Sequence, residues 1–476
     1  MTMDRWLAST YVGMPEDVAR LHFGGAELGN TLRSRRLEIV AAAMLARPGA
    51  SIPNACSGNS AMTAAYRFMS NPHVQAPLII QPHTRVVREY VRDCGAVVLA
   101  VQDHTELSFG DRQGMKGIGK ISGEGRGLLQ HSTLAVSEGG EILGVLDVRW
   151  ATRVDRKALR RKETLRERQN RWSESELWSE AAQAIGNGNG WSTRLVHVAD
   201  RGGDVFGCMD SYLRMEHGFV VRAQFDRWLV DEVQLWPKLL AYLVVCRMTV
   251  PVRRNLGSGA KCELRQQRQA QVSVRYAPIH IPSPQNDPRT AGHPGILLWA
   301  VLVREENPPE GEEALEWMLL SSEAVSDEAS ALRVIGWYRC RWVIEEWHRA
   351  LKEGLRLEES KLDDGADIRR LSAILSVQAV QLMVLRGLAD VEQPAAEQAA
   401  VKRVIPFRYL EVVAAMAGVA VAKLSGTLFW RTLALRGGWP GRKSDGRPGW
   451  KVLWRGWREL LNIAQLLDAM EDQKPV

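Results

Sequence analysis

The spacing of apolar positions changes along this chain, and in the first region it is the spacing of a helix. From residue 17 to residue 49 the apolar positions recur with helical spacing. Glycines interrupt the pattern, and Pro48 and Gly49 end it. It predicts helices over residues 1 to about 75.

Two apolar, β-branched runs then indicate buried strands of an α/β sheet. The first run, within "GAVVLAVQDHTELSF", ends in Asp103, and the second, within "TRLVHVADRGGDVF", ends in Asp200. More strand-like runs follow up to about residue 325, with Pro and Gly between them: "GFVVRAQF", "VSVRYAPIHI", "GILLWAVLVRE" and "EWMLLSS". Their close spacing predicts a β-rich insertion at about 206–325 rather than regular βαβ repeats.

From residue 326 the pattern turns helical again. Residues 369–391 predict one long amphipathic or buried helix, and the leucine spacing of 453–470 suits a packing or dimer helix. The stretch "YRCRWVIEEWHRALKEG" (338–354) predicts a single helix with two distinct faces. At about 100° per residue, one face holds Tyr338, Arg341, Glu345 and Lys352, and the opposite face holds Trp337, Cys340, Ile344, Trp347 and Leu351. The apolar face is a buried face, whereas the polar face is either a solvated surface or a place where phosphate meets metal.

Composition narrows the class of protein. With 476 residues, two to four domains are expected, and a net charge of +7 favours a polyanionic partner such as nucleic acid. Six scattered cysteines without a CxxC pair argue against a zinc module and a disulfide framework. The first residues lack the features of a secretory signal, and the apolar run "LLAYLVV" is too short to span a bilayer. We therefore expect a soluble intracellular protein without a membrane partner.

Two further segments have alternative interpretations. The basic segment 153–172 is either a solvated loop or an arm that binds the phosphate backbone. The stretch "GMKGIGKI" (114–121) resembles a nucleotide-binding P-loop, but Ile121 stands where a Ser or Thr would hold magnesium. We interpret it as a turn or a flexible loop.

Three carboxylates could form a catalytic centre. Asp103 and Asp200 each follow an apolar strand, where side chains of neighbouring parallel strands converge, and Glu345 lies on the polar face of the 338–354 helix. Such oxygen ligands suit Mg²⁺ or Mn²⁺, and two such ions catalyse phosphodiester cleavage. Any one of these acids taken alone is more simply a strand-end or solvent-facing residue.

At these residues the chain resembles a known family. Tyr338, Arg341, Glu345 and Lys352 match the tyrosine, arginine, glutamate and lysine signature of bacterial DDE transposases of the insertion-sequence-four group. The resemblance extends over most of the chain, including "ELGNTLRSRRL", "AYRFMSNP", "AVQDHTELSF", "NPPEGEEALEWMLLSSE" and "LWRGWREL".

The resemblance implies a ribonuclease-H-like α/β catalytic core (76–390) with the β-rich insertion. A helical N-terminal DNA-binding domain (1–75) and a helical C-terminal dimerisation domain (391–476) would flank this core. It also implies a homodimer in the bacterial cytoplasm that binds double-stranded DNA, both transposon end repeats and target. Such an enzyme nicks one strand, forms and reopens a hairpin, and joins the 3′ ends to target DNA.

The resemblance assigns roles to individual residues. Asp103, Asp200 and Glu345 would be the catalytic acids and the ligands of two Mg²⁺ ions, with Mn²⁺ as a substitute. Trp317 would stack on a flipped base. The remaining DNA contacts would come from Tyr338, Arg341, Lys352, Arg222, Arg33, Arg36, Tyr66, Arg67 and Asn71.

The chain also departs from the family pattern. It has "DRGGD" after the second aspartate, where an acid and an alanine are usual, and His104 where a small hydroxyl residue is commoner. Two other functions are compatible with the same fold: a nuclease that acts on other nucleic acids, and a transposase-derived DNA-binding protein without catalysis. The intact acids disfavour the second, and the length of the resemblance disfavours the first.

Overall fold

The computed structural model describes residues 2–110, 112, 114–123, 125–153, 172–252, 267–284, 290, 292–389, 399, 402–446 and 448–472. Apart from its two end residues, the predicted basic segment 153–172 lies outside the described residues. The helices are α1 (Met3–Tyr11), α2 (Pro15–Phe23), α3 (Thr31–Ala46), α4 (Ile52–Ala55), α5 (Asn59–Met69), α6 (Ala76–Asp93), α7 (Glu176–Ile185), α8 (Phe206–Arg214), α9 (Leu235–Ala241), α10 (Glu328–Arg339), α11 (Trp342–Arg349), α12 (Gly365–Leu388), α13 (Phe407–Ala417), α14 (Gly426–Arg436) and α15 (Trp450–Asp472). The strands are β1 (Val97–Ser108), β2 (Gly119–Lys120), β3 (Arg126–Ser137), β4 (Ile142–Ala151), β5 (Arg194–Ala199), β6 (Gly218–Arg222), β7 (Cys246–Val252), β8 (Arg268–Ile281), β9 (Ile296–Glu305) and β10 (Glu316–Ser321).

The chain forms two compact units. Unit 1 comprises Met1–Tyr90, His104–Asp155 and Val343–Val476, and unit 2 comprises Val91–Asp103 and Arg156–Trp342. The protein is a mixed α/β structure, with helices and a large mixed sheet.

Unit 2 is built on strands that pair both in parallel and antiparallel. Their order is β1, β5, β6, β10, β9, β8, β7. The first three are parallel, and each later neighbour pair is antiparallel. The predicted strand-like runs after residue 206 are confirmed as β6, β8, β9 and β10. Antiparallel neighbours such as β7 to β10 do not require the crossover connections that parallel strands need.

Unit 1 is organised around α12. Nearly all of its residues are buried, which confirms the predicted long helix. By length and composition α12 is the one described helix that could cross a membrane, and 89% of its apolar window is buried inside the protein. A core helix has the same composition, and we assign α12 to the core of this unit.

The closing helices of unit 1 pack with their backbones unusually close. A Cβ atom added to Gly456 of α15 would lie 1.9 Å from the Leu433 carbonyl oxygen of α14. One added to Gly437 would lie 1.7 Å from the Val452 oxygen. Only glycine fits at these two points, so the contact between α14 and α15 depends on both.

The Gly-rich stretch 114–121 is confirmed as a turn region that leads into β2 rather than a P-loop before a helix. Its Lys116 backbone N–H donates to the backbone oxygen of Asp363 at 3.2 Å, and the Lys116 backbone oxygen accepts from the Gly365 N–H at 2.8 Å. These bonds attach the turn to the start of α12.

Two sequence predictions are wrong. β1 does not end at Asp103 but continues to Ser108, because the polar residues beyond Asp103 find partners. The Glu106 carboxylate accepts from the Ser122 N–H at 2.9 Å and from its hydroxyl at 2.8 Å, and it also pairs with Arg153. Burial alone would raise the pKa of Glu106, but these donors outweigh burial and lower it.

The single helix predicted over 338–354 is divided. α10 ends at Arg339, α11 begins at Trp342, and Ala350–Gly354 is a π-helical turn. The Arg341 backbone N–H donates to the backbone oxygen of Tyr338, three residues earlier, at 3.1 Å. The Leu355 N–H donates to the backbone oxygen of Ala350, five residues earlier, at 2.9 Å. These changes of hydrogen-bond spacing break the constant 100° step on which the predicted polar face depended. Tyr338, in the last turn of α10, is buried and so does not lie on an exposed polar face.

Candidate functional site

Asp103 and Asp200 occupy equivalent positions on neighbouring parallel strands of unit 2. β1 and β5 pair from Val97 with Arg194 to Gln102 with Ala199, so each aspartate is the next residue after the last pair. Residues in register on adjacent strands project from the same face, and such strands lie about 4.8 Å apart. The predicted placement of the two acids at the ends of neighbouring parallel strands is confirmed.

The backbone after Asp200 explains the glycines of "DRGGD". The Asp200 carboxylate caps a 3₁₀ turn, Arg201–Gly203, and accepts from the Gly202 N–H at 2.8 Å. A Cβ at Gly202 would lie 2.9 Å from the Trp178 ring, and one at Gly203 would lie 2.5 Å from the Ala199 Cβ. The two glycines therefore fit a turn that packs closely against Trp178 of α7 and against Ala199.

Asp204 closes the same turn by joining it to the segment after β6. Its carboxylate is fully buried, accepts from the Gln224 N–H at 2.7 Å and pairs with the Arg227 guanidinium. These contacts give Asp204 a structural role, which leaves Asp200 as the acid of this motif on the strand edge.

Arg341, one of the residues predicted to contact DNA, lies beside Asp103 in unit 2. Its guanidinium is 3.8 Å from the Asp103 carboxylate, a distance that allows charge attraction without a short hydrogen bond. Both side chains are partly exposed, at 21% and 15%. A guanidinium so placed can pair with a phosphate that approaches the acids.

Trp317 and Tyr338 form an aromatic pair. Their ring centroids are 5.5 Å apart in an edge-on arrangement, with Trp317 on β10 and Tyr338 on α10. Tyr338 is 5% exposed, whereas Trp317 is half-buried and lines a cavity of about 510 Å³. The same cavity is lined by Arg201, Arg222 and Trp236.

Glu316 organises one wall of this cavity. Its carboxylate accepts from the Trp236 indole N–H at 2.7 Å, and its backbone oxygen accepts from the Arg222 guanidinium at 2.8 Å. Arg222, predicted as a DNA contact, therefore uses one N–H donor for this bond within the protein, and its guanidinium has further N–H donors that can bind a ligand. The sequence signalled neither Trp236 nor Arg201, because only the folding of β6, α9 and β10 brings them to Trp317.

Glu345 and Lys352 belong to unit 1. Glu345 lies half-buried in the first turn of α11, and its neighbour Glu346 pairs with Arg386 of α12. The Lys352 ammonium donates to the backbone carbonyl oxygen of Glu106 at 2.5 Å and is 3.6 Å from the Glu358 carboxylate. Burial, and then the charge of Lys352, lower the pKa of His348 to about 3.

Within the described part of the chain, no group of three or more His, Cys, Asp or Glu side chains is arranged to hold a metal ion. The donor chemistry of the two strand aspartates nevertheless fits a hard divalent cation, because their carboxylates start from adjacent points on one sheet face. The predicted Mg²⁺ site stays a prediction.

A basic groove of about 930 Å³ lies between α3 and α5 in unit 1. Arg33, Arg36, Arg67 and Asn71 line it as predicted DNA contacts, and Arg35 adds a fourth guanidinium. Tyr66, the remaining prediction here, is half-buried on α5 outside the residues that line the groove. The Arg33 guanidinium also donates to the Leu28 oxygen at 3.0 Å, which holds it at the groove edge.

Comparison with known proteins bears on this groove. Residues 15–74 match the family model described as transposase DNA-binding. The match spans α2 to α5 and contains every groove residue named above. Among solved structures, the chain is similar to the cryo-EM structure of a piggyBac transposase synaptic complex with hairpin DNA. The identity is 11%, the coverage is 85% of this chain and 77% of that chain, and the TM-score is 0.31. The family match supports a DNA transposase with DNA as its partner.

Proposed function

We propose that this protein is a cut-and-paste DDE transposase of the insertion-sequence-four group, similar in its motifs to the transposase of bacterial transposon five. It binds the end repeats of its transposon, cleaves both strands through a hairpin, and joins the 3′ ends to target DNA. One observation carries the proposal. A chain with a transposase DNA-binding match at residues 15–74 also holds Asp103 and Asp200 in register on adjacent parallel strands.

The architecture proposed with this function is a ribonuclease-H-like core with the β-rich insertion between the N-terminal and C-terminal domains. The parallel order β1, β5, β6 supports it, since this order makes the two strands that lead to Asp103 and Asp200 neighbours. For the homodimer, Leu466 and Met470 on α15 are 60% and 56% exposed. They are four residues apart and share one face of the helix, which is suited to a second copy.

Asp103, Asp200 and Glu345 would hold Mg²⁺, with Mn²⁺ as a substitute. When bound, such ions lower the pKa of water and stabilise negative charge around a transferring phosphoryl group. The protein's own contribution is to hold the strand acids in register and to place Arg341 beside Asp103, where its guanidinium binds a phosphate oxygen of the scissile strand.

The aromatic pair and the cavity are suited to an extruded base. Trp317 offers a ring face of the kind that compensates for lost stacking when a base leaves the duplex. Buried Tyr338 orients that ring, so its role here is packing rather than the phosphate contact expected from the signature. Arg222 and Arg201 border the same cavity and bind adjacent phosphates, and Lys352 contributes a further cation in unit 1.

The basic groove between α3 and α5 binds the transposon end. Four guanidiniums neutralise phosphates there, while Asn71 supplies amide groups that can contact base edges. Association with DNA should therefore weaken steeply with salt, because each phosphate contact releases condensed counterions.

The test uses the purified full-length chain, Mg²⁺ and a linear DNA that carries the inverted repeats flanking the protein's own gene. The expected products are hairpin ends, seen as strands of doubled length on a denaturing gel. Binding without cleavage would instead identify a catalytically silent DNA-binding protein. Cleavage without preference for the repeats would identify a nuclease of related fold.

A further inference from the structure

Helix α12 carries three buried polar side chains directed at the N-terminal helices of unit 1. They are Arg370, Gln378 and Gln381, which are 7%, 1% and 4% exposed. Buried polar groups need partners, and each of these finds one in a different N-terminal segment. None of the three belongs to the acid or groove residues described above.

Each donor binds a carbonyl at the end of a helix. The Gln378 amide donates to Met44 in the last turn of α3 at 2.8 Å, and the Gln381 amide donates to Tyr11, the last residue of α1, at 2.7 Å. Arg370 donates to Met69, the last residue of α5, at 2.6 Å, and to Val74 at 2.5 Å. The last carbonyls of a helix have no partner within it, so α12 completes the hydrogen bonding of three helix ends.

The hydrogen bonds made by the two glutamine side chains carry a cost in stability, and this cost argues for a positioning role. Within the described structure, the Gln378 and Gln381 side-chain oxygens are buried without a hydrogen-bond partner. A leucine of similar size would avoid that unsatisfied oxygen and bury apolar surface. Stability alone therefore does not favour glutamine here, whereas fixing the place of a helix end does.

Two of the three helix ends belong to the walls of the basic groove. α3 carries Arg33 and Arg36, and α5 carries Arg67. The backbone of α12 also accepts a hydrogen bond from α11, the helix of Glu345, through the Trp347 indole and the Ser376 oxygen at 3.3 Å. One helix thus contacts both groove walls and the helix of a proposed catalytic acid.

We propose that α12 sets the spacing of α3 and α5 for recognition of the transposon end, with Gln378 and Arg370 as positioning residues. The proposal rests on the proposed function, because it assumes that the groove binds the end repeat. Together with the bond from the Trp347 indole to the Ser376 backbone oxygen, these hydrogen bonds place the groove and α11 on a common support.

The experiment compares Gln378→Leu and Arg370→Met with a matched control, Ser372→Ala. Ser372 is fully buried on the same helix, but its hydroxyl donates to the Gln130 side chain of β3 at 2.5 Å. The probe is a fluorescent duplex that carries the inverted repeat beside the protein's own gene, together with a scrambled duplex of the same composition. Thermal unfolding of each variant is measured in parallel.

Gln378→Leu should weaken binding of the repeat about 3- to 10-fold and leave scrambled binding unchanged, since phosphate contacts do not require one fixed spacing. Amide hydrogen exchange at the C-terminal end of α3 should accelerate in Gln378→Leu and not in Ser372→Ala. Arg370→Met should weaken binding in the same way, and Arg370→Lys should recover part of it by restoring a charged donor group.

Exchange at α3 without DNA separates this proposal from the proposed function. If wild-type protein does not prefer the repeat, the proposed function fails, whatever the exchange result. If wild type prefers the repeat while Gln378→Leu matches Ser372→Ala in both binding and exchange, the positioning role of α12 is overturned. Should Arg370→Met fail to fold, Gln378→Leu decides the result alone.

Discussion

The basic groove of unit 1 and the acid-bearing strands of unit 2 differ in how their residues are assembled. The groove takes its side chains from two helices that are close in sequence and from residues beside their ends, and all of them fall inside one matched segment, residues 15–74. Asp103 and Asp200 are far apart in sequence and meet only because β1 and β5 pair in parallel. The residues proposed to bind DNA are close together in the sequence, whereas the placement of the proposed catalytic acids depends on strand register.

The difference predicts how each region tolerates change. A groove of several guanidiniums loses affinity in steps, since each phosphate contact adds separately. A register-dependent pair of acids loses function at once, because a slip of one residue in either strand would turn its acid to the face opposite the other acid. The following variants test that contrast.

The largest effect is expected at the strand acids. Asp103→Asn or Asp200→Asn should lower the cleavage rate roughly 1000-fold or more, since an amide cannot replace a carboxylate as a ligand of a hard cation. Binding to the end duplex should stay near wild type, as measured by fluorescence anisotropy. Asp93→Asn is the control, because Asp93 is exposed and pairs only with Arg92 beside it among the contacts seen. Appreciable cutting by either strand variant would refute the assignment.

Two adjacent glutamates of α11 offer a matched pair. Glu345→Gln should lower cleavage about as much as the strand variants, roughly 1000-fold, with end binding retained. Glu346→Gln should cut at nearly the wild-type rate, because Glu346 pairs with Arg386 instead. Equal losses in the two variants would show that α11 packing, rather than a specific carboxylate, matters.

Trp317 should have an intermediate effect on one step. Trp317→Ala should slow hairpin formation about 10- to 100-fold, because base stacking on an aromatic ring is worth about 1–3 kcal/mol. Nicked DNA should accumulate in a gel time course, and Trp317→Phe should restore much of the rate. Loss of nicking as well would point to a general disturbance of β10.

Buried histidines give each unit a comparable dependence on pH. Burial lowers the pKa of His22 and of His217 from 6.5 to about 4. The unfolded chain therefore binds more protons between these values, and stability is complete above 6.5 and falls as pH drops towards 4. From about pH 7 to about pH 5, His22→Gln should lose about 2 kcal/mol less stability than wild type.

Denaturant unfolding with His217→Gln as the unit 2 counterpart measures this effect. Equal pH slopes for wild type and both variants would contradict the neutral, buried state of these rings. For His22 that state agrees with its contacts, since Nε2 lies 3.0 Å from the Thr10 oxygen and Nδ1 lies 3.0 Å from His83 Nδ1.

The smallest effect is expected for a single groove arginine. Arg67→Ala should weaken end binding about five- to tenfold and reduce the salt slope by about one. Arg20→Ala is the matched control, because Arg20 lies in the same matched segment but pairs with Asp17 away from the groove. A loss shared by both variants would indicate a diffuse charge effect rather than a groove contact.

Hydrophobic periodicity was sufficient for many elements. It predicted the N-terminal helices, the strands that carry both aspartates, the later antiparallel strands, α12 and α15. It failed between residues 338 and 354, because a constant helical step cannot anticipate the shift from i−4 to i−3 and i−5 hydrogen bonds. It also ended β1 too early, since the partners of Glu106 lie in distant segments.

The sequence by itself determined the types of chemistry present. The carboxylates, the arginine cluster and the signature residues could be identified from local sequence patterns. The identity of each side chain sets what it can bind. Tertiary structure alone decided which residues are neighbours. Parallel pairing put Asp103 beside Asp200, folding of the later strands put Trp236 and Arg201 at Trp317, and burial of α12 brought Gln378 and Arg370 to helix ends far away in the chain. Such contacts depend on long-range pairing and packing, which no local period encodes.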